Sequence, residues 1–167
     1  MIRTFNSLLV TMFGLGKIKF MPGTLGSFIT VVILFYLFHL INVPSNIILI
    51  GLVIIFIYSF YAISTHIENS ANKDPGEIII DEFLGQSIPI YLYEISHGAT
   101  KESDEAIVYY VLFFILFRYF DIVKPFPVNF FDKNFKNCFG VIMDDICAGL
   151  YVVLTLVCFM IIKSYVL

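Results

Sequence analysis

The sequence contains no tryptophan, and only three histidines and three cysteines among 167 residues. Cys138, Cys147 and Cys158 form no CxxC pair and sit in or beside apolar sequence, so neither a zinc knuckle nor a disulfide framework is indicated. His39, His66 and His97 are scattered and no HExxH occurs, which removes the helix-borne zinc hydrolase pattern. Charge is scarce too: 14% of residues are charged and the net charge is −3, so there is no basic field to attract nucleic acid. What fills the chain is apolar. Hydrophobic residues make up 59%, with nineteen Phe and ten Tyr, far above the share of a soluble domain. The mean hydropathy of +0.92 agrees. This is the composition of an integral membrane protein, and 167 residues make one domain, 1–167.

The expected fold is all-α: about five membrane-embedded helices and a short N-terminal amphipathic one. In residues 1–13, Ile2, Phe5, Leu8, Leu9 and Met12 recur at helical spacing with Arg3 opposite, which suits a helix lying at the interface. No small-residue cleavage site follows, which disfavours a signal peptide. Residues 24–43 carry no formal charge and give about 30 Å of helix, enough to span. A turn at 42–46 precedes a second span over 47–65, with Ser45 or Asn46 as N-cap. The next two segments are too short unless charged residues join them. Only eleven residues separate Glu82 from Glu94, and residues 106–117 run into Arg118, Asp121 and Lys124. The last span, 139–162, holds Asp144 and Asp145 near its start. Three of five spans therefore carry acids near one end, although an ionisable group at mid-membrane costs roughly 2.5–3.5 kcal/mol.

With the N-terminus inside, eight Lys and Arg fall in cytoplasmic segments and two, Lys101 and Lys163, in outer ones. The same topology collects four polar clusters at the cytoplasmic face. One is acidic, with Asp74, Glu77, Asp81 and Glu82 inside nine residues. On a helix Glu77 and Asp81 share a face, and a divalent cation held by carboxylate oxygens would relieve their repulsion. Taken alone, the stretch is equally an acidic loop before a membrane helix. A second cluster opens the first span, where Gly23, Thr24, Gly26 and Ser27 could present backbone N–H groups and hydroxyls to an anionic ligand, or could simply cap and pack a helix. A third is Arg118, Asp121 and Lys124, ended by Pro125 and Pro127. Its lysine suits phosphate, although Arg118 alone would serve as a snorkelling anchor. The fourth is Asp144–Asp145, whose side chains point about 100° apart on a helix.

Carboxylates, cations and a glycine-rich helix start at one depth suit a divalent metal holding a phosphate group. Other phosphatase chemistries lack their residues: no cysteine lies in a glycine-rich loop ending in arginine, and no DxD motif or His–Arg constellation is present. A small transporter would need its acids at mid-depth and a repeat, and neither is evident. A scaffold docking a basic protein on the acidic rim would tolerate Asp→Glu or Lys→Arg changes that a metal site would not.

The segments PGTLGS at 22–27, DPGEIIIDEFLGQ at 74–86, FRYFDIVKPFP at 117–127 and GVIMDDICAG at 140–149 resemble, in order and spacing, the phosphatidylglycerophosphatase A family. The resemblance implies Mg²⁺-dependent hydrolysis of the phosphomonoester of phosphatidylglycerophosphate, a phospholipid substrate, at the cytoplasmic face of the bacterial inner membrane. It singles out Asp81, Glu82, Asp121, Lys124, Asp144 and Asp145 as catalytic. Of these, Asp81, Glu82, Asp144 and Asp145 are the expected metal ligands, and Asp74 and Glu77, which match less constant positions, are expected with them. Gly23, Thr24, Gly26, Ser27, Arg118 and Lys124 are expected around the substrate. The chain departs from the family pattern at Asn137-Cys138-Phe139, where a glycine pair is usual, and at Met21, where a small residue is usual. A phosphatase of another phosphomonoester lipid is the nearest alternative, and oligomeric state is open.

Overall fold

The computed structural model describes residues 2–68, 76–97 and 103–166, which are helical with no strand among them. Helix α1 (Ile2–Val10) is short and amphipathic. Val10 and Asn6 turn inward while Phe5 and Leu8 stay exposed, and Tyr58 donates a hydrogen bond to Asn6 Oδ1 at 2.8 Å. A 3₁₀ turn (Leu15–Lys17) leads into α2 (Pro22–Phe35), which takes Pro22 in its first turn, where the missing N–H costs nothing. It continues as a π-helical segment, Tyr36–Leu40. Helix α3 (Ser45–Ile67) starts directly after Pro44, so that proline occupies the N-cap position rather than Ser45 or Asn46. Then follow α4 (Ile80–His97), α5 (Ser103–Val123), α6 (Val128–Asn134) and α7 (Cys138–Val166).

Among the described residues, four stretches are long and apolar enough to cross a membrane: Pro22–Leu40, Ser45–Ile67, Glu105–Val123 and Cys138–Ile162. Helix α5 reaches that length by keeping Arg118 and Asp121 within the helix. Helix α4 is the fifth embedded helix and differs in kind. Its 18 residues make about 27 Å, but they are too polar to face lipid. Nearly every residue from Ile80 to Ile90 is buried, because α2, α3, α5 and α7 surround it. Glu94, near its far end, is tolerated because Tyr110 donates to Glu94 Oε1 at 3.0 Å and His39 Nε2 lies 3.0 Å from the same oxygen. The short apolar run between Glu82 and Glu94 is thus extended into acids at both ends, and at the Glu94 end the acid has protein partners.

The most extensive helix–helix contact joins α4 to α7. A Cβ on Gly85 would lie 2.4 Å from the Asp145 carbonyl oxygen, and one on Gly149 would lie 2.3 Å from the Gly85 carbonyl oxygen. Pro89 explains why that carbonyl is available: four residues on, it has no N–H to donate back. Small residues let the two backbones meet, as is common between membrane helices.

Alanine would ordinarily favour a helix over glycine by about 1 kcal/mol, but here the blocking atoms are backbone and cannot swing away. Gly85→Ala and Gly149→Ala are expected to destabilise the protein by about 1–3 kcal/mol. Thermal unfolding in detergent would show it, and an unchanged or raised midpoint would contradict this packing.

Candidate metal and phosphate site

The close α4–α7 contact sets the first turn of α4 beside the first turns of α7, and the acids of both helices meet there. Asp81, Glu82 and Asp145 each offer a carboxylate oxygen, all within 4.8 Å of one another. Asp121 on α5 adjoins Asp145, and Asp144 lies at the same level. They line a cavity of about 410 Å³ at one end of the bundle, together with Thr24, Arg118 and Lys124. Five carboxylates face two cationic side chains there. Desolvated like charges this close repel strongly unless protons or a cation compensate them.

Two glycine positions acquire reasons from this geometry. A Cβ on Gly23 would lie 2.2 Å from Glu82 Oε1 and 3.2 Å from Arg118 Nη1. Gly23 thus admits the Glu82 carboxylate and the Arg118 guanidinium against the start of α2. Gly26 packs on Ile79 instead, and the Ser27 hydroxyl is turned back onto the Gly23 carbonyl at 2.9 Å. Neither lines the cavity, so of the four expected residues at this helix start only Gly23 and Thr24 do.

The two cations are each tied down. Arg118 Nη1 donates to Asp121 Oδ2 at 2.7 Å, one turn along the same helix. Lys124 follows α5 in a left-handed conformation (φ 47°) and donates to Asp144 Oδ2 at 2.9 Å and to Asp132 Oδ1 at 2.8 Å. Burial alone would lower its pKa. The bonds with Asp132 and Asp144 and the charges of both outweigh that and raise it, so the side chain stays cationic. Asp132, on α6, adjoins the site through its bond with Lys124, and the sequence did not mark it. It lies eight residues past Lys124, beyond two prolines, and only the turn into α6 returns it.

Glu77 stands apart. The helix begins at Ile80, so Glu77 and Asp81 do not share a helical face as expected; Glu77 precedes it in a turn, with Oε1 2.9 Å from His66 Nε2. Asp74 lies outside the described residues.

A divalent cation fits the cluster on two grounds. The donors are all carboxylate oxygens, the set that Mg²⁺ takes. Moreover, Glu82 Oε2 and Asp145 Oδ1 are buried without a hydrogen-bond partner, a costly state that a cation would relieve.

The sequence model of the phosphatidylglycerophosphatase A family matches residues 8–160. A Haemophilus influenzae phosphatidylglycerophosphatase A is 34% identical over 147 residues, 88% of this chain and 83% of the relative. The Escherichia coli phosphatidylglycerophosphatase A is 30% identical over 144 residues, 85% of this chain and 76% of the relative. A Bacteroides thetaiotaomicron protein provisionally named a phosphatidylinositol-3-phosphatase is 35% identical over 147 residues, 86% of each chain. No solved structure is significantly similar.

If the cluster holds a cation, adding Mg²⁺ to chelator-treated protein will raise its thermal midpoint, by the equivalent of about 2.7 kcal/mol at a hundredfold excess over Kd. Asp81→Asn is expected to abolish the Mg²⁺-dependent rise while leaving the metal-free protein at least as stable, since one of the repelling charges is gone. Equal responses from both proteins would place the cation elsewhere.

Proposed function

This chain belongs to the phosphatidylglycerophosphatase A family, and from that premise we propose that it removes the terminal phosphate of phosphatidylglycerophosphate with the help of Mg²⁺. The products are phosphatidylglycerol and inorganic phosphate. The observation that carries the proposal is the meeting of Asp81, Glu82 and Asp145 with Lys124 and Arg118 in one cavity at the membrane end of the bundle.

Asp81, Glu82 and Asp145 would hold the metal, with Asp144 and Asp121 next to them. When bound, Mg²⁺ supplies positive charge against the phosphoryl oxygens and polarises the phosphorus for attack. The remaining steps belong to the protein. Lys124 and Arg118 neutralise the phosphomonoester, and because each is already paired with a carboxylate, both are in place before substrate arrives. Thr24 offers a hydroxyl at the rim. A carboxylate of the cluster accepts a proton from the attacking water as the water oxygen bonds to phosphorus and the P–O bond to the glycerol breaks, and that carboxyl then returns the proton to the departing glycerol oxygen, giving the free hydroxyl. Asp132 acts through Lys124, holding its ammonium toward Asp144.

The excess of Lys and Arg in the segments at this end of the bundle supports a cytoplasmic active face in a bacterial inner membrane. A second reading keeps the chemistry and changes the lipid. It is favoured by the relative whose name gives a phosphoinositide substrate.

Purified protein in mixed micelles should release phosphate from phosphatidylglycerophosphate with Mg²⁺ and not with EDTA. Asp81→Asn and Lys124→Ala should each lower kcat/KM by about 10²–10³-fold, the usual loss when one transition-state charge contact is removed. Faster release from phosphatidylinositol 3-phosphate or phosphatidic acid would favour the second reading. Normal turnover by either variant would rule out this site.

A further inference from the structure

We propose that the seam between α2 and α5 is an acyl-chain subsite, receiving one chain of the lipid whose phosphomonoester enters the carboxylate cavity. The subsite presupposes the lipid-phosphatase function. Both helices line the cavity at its mouth, α2 through Gly23 and Thr24 and α5 through Arg118 and Ile122. Following the same faces down each helix, positions three and four apart give Phe28 and Val31 or Val32 on α2, and Phe114 and Val111 on α5. Phe28 and Phe114 meet edge to face at 6.1 Å, and Phe28 is still 51% exposed. Below that contact the seam opens into an apolar hollow of about 210 Å³, lined by Val31, Val32, Phe35, Tyr36, Ile107 and Val111.

Three features distinguish this hollow from ordinary lipid-facing surface. It is concave, and its lower wall lies in the π-helical segment Tyr36–Leu40, which departs from the regular helical surface where π turns often mark functional sites. Its depth suits a chain rooted at the cavity: Val31 is seven residues, about 10 Å of helix, below Thr24, within the roughly 15 Å of one leaflet's hydrocarbon. It also continues the cavity wall, since α2 and α5 line the cavity directly above it. Between the two, Arg118 Nη1 donates to Ser27 Oγ at 3.5 Å and Phe28 meets Phe114, so a chain would pass over these side chains to reach the hollow. On the opposite side, the furrow beside Cys147, Leu150 and Leu154 lies beyond the Lys124–Asp132–Asp144 bridge and the stacked rings of Phe120 and Tyr151, 5.1 Å apart. Another hollow, about 570 Å³ between α4, α5 and α7, lies near Ser96 and Ser164 at the far end of the bundle.

The test uses the full chain and phosphatidylglycerophosphate bearing a photoreactive diazirine midway along one acyl chain, with labelled residues mapped by mass spectrometry. Labelling should concentrate on α2 and α5 around Val32 and Val111 and be displaced by unlabelled phosphatidylglycerophosphate but not by phosphatidylcholine. A second arm compares Val111→Trp with Ile47→Trp, which sits on exposed α3 surface. Val111→Trp should lower kcat/KM for the long-chain lipid about tenfold, the loss expected when about two methylenes leave the groove, and leave a dihexanoyl substrate within twofold. Ile47→Trp should change neither. Label spread evenly over exposed helices, label concentrated beside Leu150, or crosslinks joining two copies across the seam would each overturn the proposal. Displaceable labelling of the seam without phosphate release would leave the subsite standing and end the phosphatase reading. Phosphate release with labelling elsewhere would do the reverse.

Discussion

The contact on which the rest of this structure depends is the meeting of the α4 and α7 backbones at Gly85 and Gly149. It brings two helices that both begin with acidic residues so close together that no Cβ fits at either position. Asp81, Glu82 and Asp145 then have no choice but to share a small volume. Moving α7 outward by the width of a methyl group would separate the carboxylates and return them towards ordinary solvation. The site is therefore a consequence of helix packing more than of any local motif.

That arrangement costs free energy, and the fold shows where it is offset. Helix α4 is the least apolar of the embedded helices, and it is also the one withdrawn from lipid. At its far end Glu94 meets Tyr110 and His39, and at its near end Glu82 finds room against Gly23 beside Arg118. Polar groups inside a membrane protein persist where protein, not hydrocarbon, surrounds them. Compensation is incomplete at the Gln86 amide and, within the cavity, at one carboxylate oxygen each of Glu82 and Asp145. A site finished only by a bound cation would leave that pattern.

The surrounding helices divide the work differently. Helices α2 and α5 meet the cavity with small and cationic residues and the bilayer with aliphatic and aromatic ones, so a single seam runs from charged site to hydrocarbon. On the other side α6, short and rich in phenylalanine, closes the bundle end and returns Asp132 to Lys124. A lipid headgroup and its chains have the same division between charge and hydrocarbon as that seam.

Much of this was legible from residues alone. Hydrophobic run lengths gave the membrane helices, and four motifs and their order indicated the family that the comparisons establish. Even the gathering of the acids at one end of the bundle followed from topology, because antiparallel spans return every second loop to the same side. Other parts were not legible, since they depend on distances between helices rather than on position along one. Sequence spacing put Glu77 on a face with Asp81, but the helix starts too late and Glu77 bonds His66 instead. Gly26 packs on Ile79 and Ser27 meets the cavity only through Arg118, while Asp132 was unmarked because only a turn through two prolines brings it back. The sequence by itself determined which residue types were available and which of them would gather at one end of the bundle, since hydrophobicity and chain direction act along the chain. Which carboxylates share one cavity was decided by tertiary structure, because that rests on how closely two backbones approach.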